Sequence, residues 1–401
     1  MTYYRAVGSI SRKRHTAHRP DGSTLAYEEM IGEEGFSSTS SLLYHRNLPP
    51  AIVRASTWQP GDLRLHENEP MIPRHFTLHG LFPEGGAGKD LIRDRRLILG
   101  NDDVRITYVV AAERSPFYRN AVGDECVFIE RGGARLESVF GTLEVTGGDY
   151  VVVPRGTTHR WVPDIGSGPL GAYCVEANSH IQAPSRYLSQ HGQYLEQSPY
   201  CERDLRGPAG PLLAEDVGED PGAETDVYIK HRIRGGIGGT IHTIPFHPLD
   251  AVGWDGCLYP YAFSVHDFEP LTGRVLQPPP VHQVFEGRNF VMCNFVPRLV
   301  DYHPGAVTAP YYHANVDSDE VMFYVAGNYE ARSGSGVAPG SVTLHTGGHS
   351  HGPQPGAYAA SIGAKAVDEL AVMVDTFQPL LLGEGALASD DGVYLRSWLE
   401  G

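Results

Sequence analysis

The sequence predicts a mostly β chain made of two copies of one β-sandwich or barrel module, with few short helices. Three observations predict it. Strand-type segments outnumber helical ones, glycine (47) and proline (30) punctuate them, and one spaced pattern occurs twice. Glycine and proline together exceed their usual share, while hydrophobic residues at 41% supply a core that a disordered chain lacks. At 401 residues the chain is long enough for two or three domains.

The segments 105–112, 125–130, 148–154, 239–246, 289–297, 320–327 and 340–347 are rich in β-branched and aromatic residues and bounded by Gly, Pro, Asn, Asp or Glu. That is the composition of strands. A glycine-interrupted stretch, 380–398, is the one helical candidate. Residues 202–224 are rich in Gly, Pro and acids, which marks a break. The expected division is therefore an N-terminal module over 1–200, a linker or surface excursion over 201–235, and a C-terminal module over 236–401.

A net charge of −16, spread along the chain, argues against a nucleic-acid or anionic-membrane surface. No apolar run approaches the roughly 18 residues of a membrane span. The N-terminus lacks an apolar signal core. Five cysteines, widely spaced and without a C-x-x-C pair, suit reduced thiols, so a cytoplasmic location is expected.

The repeat carries the chemistry. Tyr118, Asn120, Asp124, Glu125 and Gly132 match His313, Asn315, Asp319, Glu320 and Gly327, each pair 195 residues apart. Further on, Gly148 precedes His159 by 11 residues, and Gly340 precedes His351 by 11. The second copy brings two imidazoles and a carboxylate to one face: His313, Glu320 and His351. Two histidines and one carboxylate leave open positions on an octahedral ion, the arrangement of non-haem Fe(II) oxygenases. Zinc hydrolases use a His2Glu set too, so ligand type alone leaves the metal open. In the first copy Tyr118 replaces an imidazole, so one competent site is expected, in the C-terminal half. Asp319, one residue earlier, is the alternative carboxylate. His349 shares a loop with His345 and His351, and spacing does not separate them. His45 and His79 fit no pattern.

These spaced motifs are those of the cupin superfamily, which makes the expected fold a duplicated cupin, or bicupin. The surrounding text is more specific. PYYHAN (310–315), GNYEAR (327–332), SVTLH (341–345), HGPQPG (351–356) and GDYVVVPRGTTHRW (148–161) resemble the homogentisate 1,2-dioxygenase family. The resemblance implies Fe(II) held by His313, Glu320 and His351 in a homo-oligomer, a trimer or hexamer. It implies O2 and a small aromatic substrate, homogentisate, opened to maleylacetoacetate in tyrosine catabolism. It also implies His282 as a base, His345 beyond the ligands, and Tyr329, Arg332 and His351 as substrate contacts. The family's lysine is Arg332 here, and the His-to-Glu interval is seven where larger members have six. A dioxygenase for another hydroxylated aromatic acid and a non-catalytic metal-binding bicupin are the alternatives.

Overall fold

The computed structural model describes residues 2–83 and 88–399. Its centre is an eight-stranded sheet that includes Val104–Ala111, Glu125–Arg131, Asp149–Val153 and Leu170–Ala177. These strands read as nearly unbroken apolar runs because both of their faces are covered. Val127, Ile129, Val151 and Cys174 pack with Leu136, Leu143 and Trp161 of a seven-stranded sheet on one side. Phe128, Tyr150 and Tyr173 pack with Val321, Phe323, Val342 and Val374 of a six-stranded sheet on the other. Tyr173 stacks on Phe323 with centroids 4.6 Å apart, joining the two halves through their cores.

All seven expected strands form, with ends shifted by at most three residues. The expected linker does not. Within 201–235, Leu205–Arg206 edges the central sheet, and Thr225–Ile233 lies inside the seven-stranded sheet between Phe117–Asn120 and Gly236–Ile244. Val227 and Ile229 alternate inward, a period-two pattern hidden behind the acidic, Gly/Pro-rich residues before it. Strands as late as Tyr261–Ser264 still pair with the first half, so the C-terminal sheet begins at Gln283–Gly287 rather than at 236. Conversely, Arg74–Thr77 crosses over to pair with Ser341–His345. The expected helix over 380–398 is a short one, Glu384–Ser389, followed by a 3-10 turn, Tyr394–Arg396, because Asp390–Gly392 breaks it.

The repeat is visible in the strand register. Tyr118 pairs with His159 in the first half, and His313 bridges to His351 in the second. Glu125 pairs with Val153 and Glu176; Glu320 pairs with His345 and Asp375. The inner face of each barrel thus receives the same positions.

A four-stranded sheet (Arg5–Gly8, Tyr27–Gly32, Ser40–His45, Ala251–Gly256) flanks the first barrel. Here His45 is structural: its Nδ1 lies 2.7 Å from Asp250 Oδ1 and its Nε2 3.1 Å from Glu29 Oε2. His79 is likewise engaged, 2.5 Å from Glu130. The five cysteines are free thiols. No helix among the described residues is long and apolar enough to cross a membrane.

Burial opposes a charge on His45, but Asp250 and Glu29 outweigh it and hold the imidazole up at about 9. A folded-state value above the unfolded one, about 6.5, stabilises the fold fully below that pH and is lost as pH rises through 9. His45→Gln is therefore expected to show its largest stability deficit near pH 6, shrinking towards pH 9. Urea unfolding at stepped pH reads this, and a pH-independent deficit would contradict the ion-pair assignment.

Candidate metal centre

On the inner face of the C-terminal sheet, Glu320 is the second residue of the strand Asp319–Gly327, and His345 ends the neighbouring strand Ser341–His345. His313 and His351 arrive from the loops facing them, locked together by reciprocal backbone hydrogen bonds of 2.9 and 2.8 Å. Glu320 Oε2 lies 3.5 Å from His313 Nε2, and Glu320 Oε1 lies 3.4 Å from His351 Nε2. Ligand atoms of all three fall within 4.8 Å of one another.

The tautomers suit ligation. His313 Nδ1 donates to the Tyr311 carbonyl at 3.2 Å, and His351 Nδ1 donates to the His349 carbonyl at 3.1 Å. Both Nε2 atoms are left as lone-pair donors aimed at the carboxylate. His351 Nε2 is buried and has no hydrogen-bond partner, a cost a buried imidazole does not carry without a reason. Two imidazoles and a carboxylate converge on one point, and the residues fit a divalent cation. His313 remains 31% exposed, so the point is open to small molecules.

Beyond the carboxylate runs a relay that the sequence did not reveal in full. His345 Nδ1 donates to Glu320 Oε1 at 2.9 Å, and Tyr394 Oη donates to His345 Nε2 at 3.0 Å. Because the carboxylate only accepts, this order fixes every proton in the chain. Burial, aided by Arg332, pushes His345 down to about 3, so it stays neutral. Burial works against ionised Glu320, but the facing imidazoles of His313, His345 and His351 hold it well below the usual carboxylate range. Tyr394 and Trp398 come from the C-terminal turn, where the sequence suggested only helix; Trp398 Nε1 donates to the Gly352 carbonyl at 3.2 Å.

Asp319 is not turned to this point. Its two oxygens accept from the backbone N–H groups of Gly347 and Leu380, both at 2.8 Å. Asp124 in the first copy does the same with Arg155 and Ile181. Asp375, beside Glu320 on the next strand, is not legible in the sequence; only strand register matches it to Glu176. Its carboxyl is pushed up, first by burial and then by Glu320.

Arg332 reaches inward. Its Nε donates to Tyr324 Oη at 3.0 Å and its Nη1 to the Gly352 carbonyl at 2.6 Å. Tyr329 is spent on structure: its hydroxyl donates to the Leu370 carbonyl at 3.2 Å and its ring meets Tyr324 edge-on. His282 is set apart. It precedes the edge strand Gln283–Gly287, two strands removed from Asp319–Gly327, and its ring packs on Phe295 at 4.8 Å. Burial and then Arg298 push it down to about 3, and its buried Nδ1 has no partner. His349 is half-buried on the loop before His351, pushed down by burial.

A second group, Glu33, Asp124 and His180, also clusters. Asp124 and Glu33 hold His180 up at about 10, and its Nδ1 lies 3.0 Å from Glu33 Oε1 as an ion pair.

Residues 262–399 match the family described as homogentisate 1,2-dioxygenase C-terminal. The chain is 38% identical over 402 residues to a Saccharolobus solfataricus protein provisionally named a dioxygenase, and the match spans 99% of both. It is 27% identical to the homogentisate 1,2-dioxygenase of Emericella nidulans, over 90% of this chain and 73% of that one. The Oryza sativa subsp. japonica homogentisate 1,2-dioxygenase is also 27% identical, over 90% and 69% respectively.

The geometry predicts one divalent ion per chain, counted by Co(II) titration of the metal-stripped protein, and none in His351→Ala. Tyr394→Phe removes the donor to His345 without touching a ligand. It is expected to weaken metal binding by roughly 10–100-fold, the usual effect of losing such a support. Unchanged affinity would disconnect the relay from the site.

Proposed function

From the premise that this chain belongs to the homogentisate 1,2-dioxygenase family of the cupin superfamily, we propose that it is an Fe(II)-dependent ring-cleaving dioxygenase. Its substrate is homogentisate, opened with one O2 to maleylacetoacetate. The observation that carries this reading is the convergence of His313, Glu320 and His351 with both Nε2 atoms free. Three protein ligands leave room on the ion for a substrate oxygen and for O2. Bound iron would supply the redox centre that lets triplet O2 react with a singlet ring.

The chain's own residues would do the rest. The three ligands bring substrate and O2 together, which removes most of the entropic cost of their encounter. His345 and Tyr394 hold Glu320 in place. Arg332 anchors the carboxylate arm: it is half-buried, it reaches inward, and no carboxylate among the described residues pairs with it. Tyr329 supports this anchor through Tyr324. For the phenol proton, His282 is the acceptor the family resemblance implies; its Nδ1 is unpartnered, but burial holds its imidazole down at about 3, so the role requires that burial to be relieved when substrate binds. The exposed Tyr302, Tyr311, Tyr312 and Ile362 around the second barrel fit burial in a homo-oligomer. Arg332 where the family has lysine favours one second reading, another hydroxylated aromatic acid with a differently placed carboxylate.

The test is anaerobic loading with Fe(II), then homogentisate and air, following O2 uptake and the absorbance of the opened product. One O2 per homogentisate is expected, abolished in His313→Ala. Arg332→Met is expected to raise KM tenfold or more while leaving the metal count unchanged, as loss of a charge-assisted pair worth about 1.5–3 kcal/mol requires. His282→Gln is expected to lower kcat with the metal retained; an unchanged kcat gives the proton to another group. O2 uptake with a different hydroxylated aromatic acid alone would select the second reading.

A further inference from the structure

The first barrel repeats the metal centre position by position, yet its carboxylate is already satisfied. Glu125 stands where Glu320 stands, 1% exposed. His159 stands where His351 stands. Its Nδ1 donates to the Thr157 carbonyl at 3.0 Å, and its buried Nε2 has no hydrogen-bond partner. Backbone support, tautomer and aim of this imidazole match those of a ligand. Tyr118 takes the place of His313, and its hydroxyl donates to Glu125 Oε1 at 3.1 Å.

The difference lies on the other carboxylate oxygen. Arg95 Nη2 reaches Glu125 Oε2 at 2.9 Å, while Arg95 Nε is fixed by the Leu91 carbonyl at 2.8 Å. The guanidinium is almost wholly buried. We propose that Arg95 is a built-in substitute for a metal ion, making the first barrel a latent metal site permanently occupied by a side chain. Tyr118 and Asn120 complete the shell, Asn120 Nδ2 donating to Glu125 Oε1 at 2.8 Å.

The charge balance supports this independently. Around Glu125 and Glu176 stand three cations: Arg95, Lys230 at 2.5 Å from Glu176, and Arg105 at 3.7 Å. Around Glu320 and Asp375, no lysine or arginine of the described residues forms an ion pair, and Arg332 acts on Glu320 from a distance. Against two carboxyl groups each, the first barrel has three positive charges and the second has one. The two charges of a divalent ion make the balances equal. A buried carboxylate needs such compensation, and each barrel has solved the same problem with a different cation.

The inference takes the C-terminal metal reading as its reference, and the experiment separates the two. Metal-stripped full-length protein is titrated with Co(II), counting equivalents and following ligand-field absorbance. Wild type is expected to bind one equivalent, and Tyr118→His with Arg95→Leu to bind two. Adding Glu320→Ala to that pair should leave one, now at the first barrel. One equivalent in the double variant, with the C-terminal site still loading, would overturn the proposal; none in wild type would instead remove the C-terminal reading. Hydrogen exchange of wild type keeps the test independent of whether variants fold. Stripping the metal should raise exchange tenfold or more in Asp319–Gly327 and leave Glu125–Arg131 unchanged. Equal loss of protection in both strands would overturn the substitution by Arg95.

Discussion

A carboxylate placed on the inner face of a β-barrel, out of reach of water, must be met by positive charge or by several donors. Glu125 and Glu320 are both held under this constraint, 1% and 7% exposed at the side chain. Each barrel arranges its inner face around the need. In one, an arginine, a tyrosine and an asparagine converge; in the other, three imidazoles converge and two keep a lone pair for something more. The chemistry available to the second barrel follows from what its histidines lack, since an imidazole whose Nδ1 is tied to the backbone can offer only Nε2.

The central sheet makes that arrangement stiff. Its strands have cores on both faces, so residues on either side of one strand serve different barrels. Val127 faces the first barrel while Phe128 packs towards the second. Close-packed interiors tolerate little displacement, and a shift in one barrel is felt in the other through the Tyr173–Phe323 stack. The metal centre therefore sits on a sheet whose far side is part of a core, which suits a site that must hold its ligands in register.

Much of this was legible in the sequence. Two copies of one spaced pattern, with offsets of 195 residues for the first motif and 192 for the second, put His313, Glu320 and His351 in the second copy and can be read from spacing because strand register nearly preserves it. The strands themselves announced their type through β-branched and aromatic content. What the sequence hid was long-range partnership. Arg95 belongs to no repeated motif, and nothing local links it to Glu125, 30 residues away. Tyr394 sits in a stretch with helical composition, 49 residues beyond His345. Thr225–Ile233 was masked by its polar neighbours, and only its place between two other strands makes it a sheet interior. The placement of His282 depends on strand order, which no spacing encodes.

The pairing of Arg74–Thr77 with Ser341–His345 ties an early segment of the chain to a late one. During synthesis at roughly 5–20 residues per second, the early strand emerges and then waits about 13–50 s for its partner. Over that interval Arg74–Thr77 has no neighbour, and a strand without a neighbour is a template for other chains. Neither barrel can be released as an independent piece by cutting between them, since each would leave with part of the other. The two halves arose as copies of one pattern, yet the strand exchange has made them a single unit of assembly, completed only when the last third of the chain has been made.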